Sequence, residues 1–156
     1  MIARIVSGGQ TGADRAGLDA AIAWGVPHGG WCPKGRIAED AIIPERCQLT
    51  ETEGVSYLAR TERNVKRSDG TVIFTLGELA GGSLRTADFA RRHRKPWIHV
   101  RLEESDDIVA AGVLRDFVES RGVKILNVAG SRESSESGIG DRVFAVLAKT
   151  IGNDGK

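Results

Sequence analysis

Two glycine pairs, each followed by polar residues and a helix-like pattern, are the parts of this sequence best suited to holding an anion. The first lies in Ser7-Gly8-Gly9-Gln10-Thr11-Gly12-Ala13-Asp14 and the second in Gly81-Gly82-Ser83-Leu84-Arg85-Thr86. Glycine lets a ligand approach the backbone closely, and a helix start offers unpaired N–H groups and a partial positive charge, so phosphate is the natural guest. A turn needs only one glycine, which makes two pairs together a stronger signal than either alone. Neither segment is a P-loop, because no Gly-Lys-Ser/Thr follows, and neither is a GxGxxG dinucleotide fingerprint. Arg85 adds a guanidinium that can fork onto a phosphate. On these grounds Gly8, Gly9, Gln10, Thr11, Gly12, Asp14, Gly81, Gly82, Ser83, Arg85 and Thr86 are candidate ligand contacts.

Other candidates have equally good structural explanations. Lys34, Gly35 and Arg36 place two cations on a glycine-bearing loop, which suits phosphate or carboxylate, but an exposed charged turn accounts for them as well. Arg60 and Asn64 share a helical face at i,i+4, as they would also in a surface helix laced with ion pairs. Asn127 and Ser131 fall in a segment, 127–134, that follows a strand. The run Arg91-Arg92-His93-Arg94-Lys95 complements the negative end of a helix and reads as structural. His28, His93 and His99 show no metal-ligand spacing, and Cys32 and Cys47 form no CxxC signature, so reduced thiols and no metal site are expected. Asp14, Glu39, Asp40, Asp88 and Glu133 could act as acid or base, yet sequence does not say which converge, and no catalytic residue is assigned.

These residues must be positioned by alternating strands and helices. Ile2–Val6 reads as a buried strand, followed by a helix with Leu18, Ala21 and Ile22 on one stripe, capped by Thr11 with Asp14 as its capping-box partner and stopped by Gly25. A short run around Val26 completes a βαβ opening. Residues 31–52 show little periodicity and read as a long ordered loop. Val55, Leu58, Glu62 and Val65 share a helical face. Strands follow at Thr71–Thr75, Trp97–Val100 and Val123–Val128, with helices through Ala87 and Ala90, through Val113, Leu114, Phe117 and Val118, and through Ile139, Val143, Leu147 and Ile151. The expected fold is α/β: a doubly wound, mainly parallel open sheet of about five strands with helices on both faces, Rossmann-like, whose ligands sit at the carboxyl edge.

Residues 1–156 are expected to form a single domain, since no linker interrupts the pattern. Hydrophobic residues make up 40% and charged residues 28%, and no stretch approaches the roughly 18 apolar residues of a membrane span. No membrane association and no secretory signal are therefore expected, and a cytoplasmic location follows. A net charge of +1 argues against nucleic acid as a partner, so any anion site must be local.

Several of these stretches carry a family likeness. Ser-Gly-Gly-Gln-Thr-Gly-Ala-Asp-Arg-Ala-Gly-Leu-Asp-Ala-Ala (7–21), His-Gly-Gly-Trp-Cys-Pro-Lys-Gly-Arg (28–36), Ala-Glu-Asp (38–40), Arg-Thr-Glu-Arg-Asn-Val (60–65), Ser-Asp-Gly-Thr (68–71), Gly-Gly-Ser (81–83) with Thr86, and Leu-Asn-Val-Ala-Gly-Ser-Arg-Glu-Ser (126–134) resemble the molybdenum carrier (molybdenum cofactor carrier-like) family. That family is similar to the YpsA-like and LOG (lysine-decarboxylase-like) Rossmannoid proteins, which bind nucleotides or nucleotide-derived ligands at paired glycine motifs. The resemblance implies a doubly wound fold and a homo-oligomer. It also implies molybdenum cofactor (molybdopterin) as cargo, with molybdoenzymes or cofactor-synthesis proteins as partners. LOG phosphoribohydrolases carry Pro-Gly-Gly-x-Gly-Thr-x-Glu-Glu, whereas Gly81 to Asp88 is one residue longer and lacks the paired glutamates, which counts against that activity.

The expected function is a binding or carrier protein for molybdenum cofactor or a related phosphorylated nucleotide-like molecule. The alternatives are a nucleotide-processing enzyme, LOG-like phosphoribohydrolase or phosphohydrolase, and a nucleotide-sensing interaction module. A side chain at Gly9 is expected to block the ligand without disturbing the fold, and loss of Arg85 to weaken binding.

Overall fold

The computed structural model of this protein describes residues 1–152. In chain order its elements are β1 (Arg4–Val6), α1 (Ala13–Ala23), β2 (His28–Gly29), β3 (Trp31–Cys32), β4 (Ile37–Ala38), β5 (Ala41–Ile42), β6 (Thr50–Glu51), α2 (Tyr57–Lys66), β7 (Gly70–Thr75), α3 (Gly81–Arg92), β8 (Trp97–Arg101), α4 (Asp107–Arg121), β9 (Ile125–Gly130) and α5 (Ile139–Gly152). Five strands form a wholly parallel sheet in the order β2-β1-β9-β7-β8. The doubly wound expectation holds.

Strand β7, Gly-Thr-Val-Ile-Phe-Thr, is buried at every position, as a parallel strand covered on both faces must be. Val72 and Phe74 join the core that α1, α4 and α5 build over one face of the sheet, with Leu114, Phe117, Val143 and Leu147 among its members. Ile73, between them, is equally buried and alternates to the opposite face, where α3 packs on the sheet and α2 packs on α3. The chain leaves β1 and β9 into α1 and α5, which pack together, but leaves β7 into α3 on the other side. Connections therefore diverge between the adjacent strands β9 and β7, which opens a crevice at their carboxyl ends.

The structure shifts some element boundaries. The strand expected at 123–128 begins at Ile125, because one Asp69 carboxylate oxygen accepts from the N–H groups of Lys124 and Ile125 (3.0 and 2.8 Å) and Val123 is drawn into the core instead. The segment 31–52 is more ordered than a loop: β3 pairs with β6 in parallel and β4 with β5 antiparallel. Ile43, Cys32, Cys47 and Ala38 pack with Leu18 of α1 in a second small core, and both cysteines are free thiols.

Two local readings are corrected. Thr11 does not cap α1; Gly12 occupies that position with φ 80°, and no side chain caps the helix. Helix α2 does not bury the Val55, Leu58, Glu62 and Val65 face. It buries Arg60, Asn64 and Val65, while Val55 and Leu58 are exposed. The polar residues win because the rest of the chain satisfies them: Asn64 Oδ1 accepts from Trp31 N–H (2.9 Å), its Nδ2 donates to Trp31 C=O (3.0 Å), and Arg60 meets Asp14.

Gly9 is a further correction. It has φ 81°, and a Cβ there would lie 2.7 Å from Leu49 Cδ1 and 2.9 Å from Ile43 Cδ1, inside the small core rather than in the path of a ligand. A β-branched residue combines left-handed strain with overpacking. Gly9→Val is accordingly expected to destabilise the fold by about 2 kcal/mol or more, read as a lowered urea midpoint; an unchanged midpoint would contradict this placement.

Candidate functional site

At the carboxyl edge of β1 and β9, between α2, the start of α3 and the loop after β9, lies an open cleft of about 500 Å³. That volume suits a small-molecule site, typically roughly 300–1,000 Å³. Its floor holds a buried ion pair. Arg60 Nη1 donates to Asp14 Oδ2 at 2.9 Å, with Asp14 6% and Arg60 9% exposed. Burial raises the Asp14 pKa above the ordinary carboxylate value, and the neighbouring Arg60 guanidinium pulls it back only in part. Gly8 is glycine because this pair lies against it: a Cβ there would be 1.5 Å from Arg60 Nη1.

Beside the pair, Gln10 Oε1 accepts from the N–H groups of Thr11 (3.1 Å) and Glu39 (2.9 Å), which fixes the orientation of its amide. Gln10 Nε2 and Arg60 Nε are left as buried donors without a partner among the described residues. Some of the N–H groups of this first glycine loop are committed within the protein, whereas those of Gly8, Gly12 and Asp14 have no acceptor among the described residues. Gln10 N–H donates to Asp14 Oδ2 (3.3 Å) and Ala13 N–H to Ser131 C=O (3.1 Å), so the loop after β9 occupies the start of α1. A Cβ on Gly12 would lie 2.3 Å from that same Ser131 oxygen.

The start of α3 is different. Ala80 sits at the N-cap and has no side chain able to cap, while Ser83 Oγ turns back to accept from Ala80 N–H (3.0 Å). The N–H groups of Gly81 and Gly82 have no acceptor among the described residues. Both residues line the cleft, with the partial charge of a 12-residue helix behind them. Arg85, one turn on, lines the cleft, is exposed and forms no ion pair among the described residues.

Opposite, the loop after β9 is held rigidly. The Glu136 carboxylate accepts from Leu76 N–H (2.8 Å), Gly77 N–H (2.9 Å) and Ser131 Oγ (2.6 Å), tying that loop to the end of β7. Burial pushes the Glu136 pKa up, but the Ser131 hydroxyl, the two backbone N–H groups and Arg101 outweigh it and leave it below the usual carboxylate value. Glu133 accepts from Gly138 N–H (2.5 Å) and Gly140 N–H (3.0 Å) at the start of α5. Glu39 takes Ser134 Oγ (2.5 Å) and the Thr11 hydroxyl. On this fixed loop Arg132 stands with its guanidinium 5.3 Å from the centre of the Tyr57 ring.

Gly8, Gln10, Asp14, Arg60, Asn64, Gly81, Gly82, Ser83, Arg85, Thr86, Asn127 and Ser131 all line the cleft. The remaining candidates do not. Gly9 faces the small core, Gly12 the loop after β9, and Thr11 bridges Glu39 and the Glu133 N–H. Arg36 donates through Nη2 to the carbonyls of Ile43, Pro44 and Cys47 (3.3, 2.9 and 2.7 Å), so it braces the 31–52 segment. Gly35 N–H donates to Glu51, and Lys34 is an exposed residue beside it. Of the carboxylates considered, Asp14 alone lines the cleft; Asp40 pairs with Arg15 and Asp88 with Arg91. Sequence reasoning missed Tyr57, Arg132 and Glu136. Arg132 sits inside the 127–134 stretch already placed at the edge, and its charge was the available signal.

A family model described as the circularly permuted YpsA SLOG family matches residues 5–151. The chain belongs to that family. No curated protein matches it. Among solved structures, a protein of Syntrophus aciditrophicus SB named as a candidate molybdenum carrier protein shares 43% identity and superimposes with a TM-score of 0.94 over 96% of this chain and 94% of that one.

The depressed pKa of Glu136 sets a pH dependence. A carboxyl whose folded pKa lies below its unfolded value, about 4.3 for glutamate, stabilises the fold above that value and loses the contribution as pH falls through the folded pKa. Glu136→Gln is expected to lower stability by about 1–2 kcal/mol at neutral pH, and to flatten the acid limb of a stability-against-pH curve from chemical denaturation. An acid limb parallel to that of the unaltered protein would argue against the role given to Glu136.

Proposed function

We propose that this chain, as a member of the circularly permuted YpsA SLOG family, binds molybdenum cofactor or a related phosphorylated nucleotide-like molecule in the cleft, with the phosphate on the start of α3. The observation that carries this reading is Gly82. Its φ is not in the left-handed region, and a Cβ placed on it would meet nothing within 4 Å, so neither backbone geometry nor packing calls for glycine. A phosphate drawn against the Gly81 and Gly82 N–H groups does call for it.

Arg85 lies one helical turn beyond, where it can complete the charge that the phosphate needs in a protein of net charge +1. The ion pair on the floor is internally neutral, which leaves Arg85 and Arg132 as cleft cations without an acidic partner among the described residues. The name of the Syntrophus aciditrophicus relative supports a molybdenum-bearing cargo. Molybdenum cofactor is a pterin that carries a phosphate and holds its metal through its own dithiolene, so this reading asks the protein for phosphate and ring contacts. No group of three or more His, Cys, Asp or Glu among the described residues is placed to hold a metal ion.

One observation favours a second reading, a nucleotide-processing enzyme. A buried carboxylate with a raised pKa beside a guanidinium in a cleft is a common arrangement for acid–base chemistry, and Asp14 has that character. Incubation with a panel of nucleoside monophosphates, followed by chromatography, separates the two. The carrier reading expects saturable binding and no product; turnover abolished by Asp14→Asn would establish the enzyme.

Titration with molybdopterin tests the phosphate site itself. Gly82→Val is expected to abolish binding while leaving the thermal midpoint nearly unchanged. Arg85→Ala is expected to weaken binding by about ten- to a hundredfold, the equivalent of a charge-assisted hydrogen bond worth roughly 1.5–3 kcal/mol. Unaltered affinity in a folded Gly82→Val protein would remove α3 as the anion site.

A further inference from the structure

Strand β8 ends the sheet: it pairs with β7, and no strand among the described residues lies beyond it. Thr71 N–H donates to the Pro96 carbonyl (3.0 Å), so alternation turns the backbone polar groups of Ile98 and Val100 toward β7 and those of Trp97, His99 and Arg101 outward. A free edge is commonly guarded by charges or a proline within the strand, yet this one carries an aromatic, two β-branched residues and no Lys, Arg, Asp or Glu before its last position. The charges stand on either side of it, sorted by sign: Arg94 and Lys95 before, Glu103 and Glu104 after. The two glutamates share Arg101, while Arg94 and Lys95 have no ion pair among the described residues. Arg94 also holds φ 55°, the left-handed position past α3 that glycine fills at least cost. Beside the edge, α4 packs on β7 and β8 and exposes Val109 (53%) and Val113 (41%), with Arg115 turned the other way to the Lys149 carbonyl of α5. Both valines border a groove of about 580 Å³ together with His99 and Arg101.

We propose that β8 pairs antiparallel with β8 of a second copy of this chain, about a two-fold axis at His99, joining the two sheets into one. The outward groups set the register: His99 faces its counterpart, and Trp97 faces Arg101 of the other copy, each pair exchanging N–H and C=O. The positions just outside the strand then bring Arg94 opposite Glu104 and Lys95 opposite Glu103, twice by symmetry. A parallel pairing would set each cluster against its own sign. Because α4 straddles β7 and β8, its counterpart across a strand spacing of roughly 4.8 Å lies about 10 Å away, the distance at which helices pack. Val109 and Val113 are covered there. The opposite face is free of obstruction, since α3 lies on β7 and β9. A two-fold contact of this kind uses the edge of both copies and closes, so it removes the exposed edge instead of propagating it.

Sedimentation equilibrium of the full chain tests the pairing. The unaltered protein is expected to form a species of twice the monomer mass; a monomer at every concentration up to the millimolar range overturns the proposal. Arg94→Glu with Lys95→Glu, and separately Glu103→Lys with Glu104→Lys, are each expected to weaken self-association by about tenfold or more. Unchanged association in both overturns it. An equimolar mixture of the two double variants should restore the dimer, because each reversed cluster then meets its opposite on the other chain. A mixture as weak as either variant alone overturns the antiparallel register. Should a charge-reversed chain fail to fold, Val109→Lys with Val113→Lys replaces the mixture, both sites being exposed in the monomer. Loss of the dimer with a native circular dichroism spectrum supports the pairing, and unaltered association overturns it.

Discussion

A guanidinium buried against a carboxylate at the mouth of the sheet is the constraint around which this site is arranged. Arg60 and Asp14 lie 2.9 Å apart with little solvent around them, and breaking such a pair by removing one partner leaves a charge the interior cannot accommodate. The pair fastens α2 to the first glycine loop. It also decides what can stand beside it: Gly8 must lack a side chain, Gln10 must turn its amide oxygen away toward the Thr11 and Glu39 N–H groups, and α2 must present its polar side inward. Without it α2 has one buried apolar residue, Val65, with which to hold its place.

That arrangement makes two loops of similar sequence physically unlike. At the start of α1 the protein supplies acceptors for part of the loop: the Ser131 carbonyl takes Ala13 N–H, and the Asp14 carboxylate takes Gln10 N–H. Gly12 is required there by φ 80° and by the nearness of the backbone at 131–133. At the start of α3 no carbonyl or side chain among the described residues reaches the Gly81 and Gly82 N–H groups, and these glycines border open space. The same residue type therefore serves protein packing in one loop and exposes a helix terminus in the other. Between them the loop after β9 is locked by Glu136 and Glu133 onto β7 and α5, so the wall facing α3 has a set shape before any ligand arrives, and little ordering cost remains for binding.

The alternation of short β-branched runs with amphipathic stretches was enough to determine the doubly wound sheet, because each element must bury one face and only a layered α/β arrangement buries them all. Placing the ligand edge followed from the same logic, since glycine-rich loops recur after β1 and β7. The family likeness read from the stretches at 7–21, 28–36 and 126–134 agrees with the family match over residues 5–151. What pattern could not supply was partnership. Arg60 and Asn64 read equally well as ligand contacts or as an ion-paired surface helix, and Arg36 as a ligand cation or an exposed charged turn. The first two are buried because Asp14, 46 positions away, and the Trp31 backbone meet them, and the third is consumed by three carbonyls of its own segment.

Residue type and spacing thus determined which elements form and which loops share an edge, because those depend on periodicity and backbone freedom within a few residues. Which of those loops still has N–H groups to offer, which arginines remain uncommitted, and that Tyr57 and Arg132 stand face to face across 75 positions were decided only when β9 inserted between β1 and β7. Hydrogen bonds and charges are satisfied by whatever lies nearest in space, and that distance is not written along the chain.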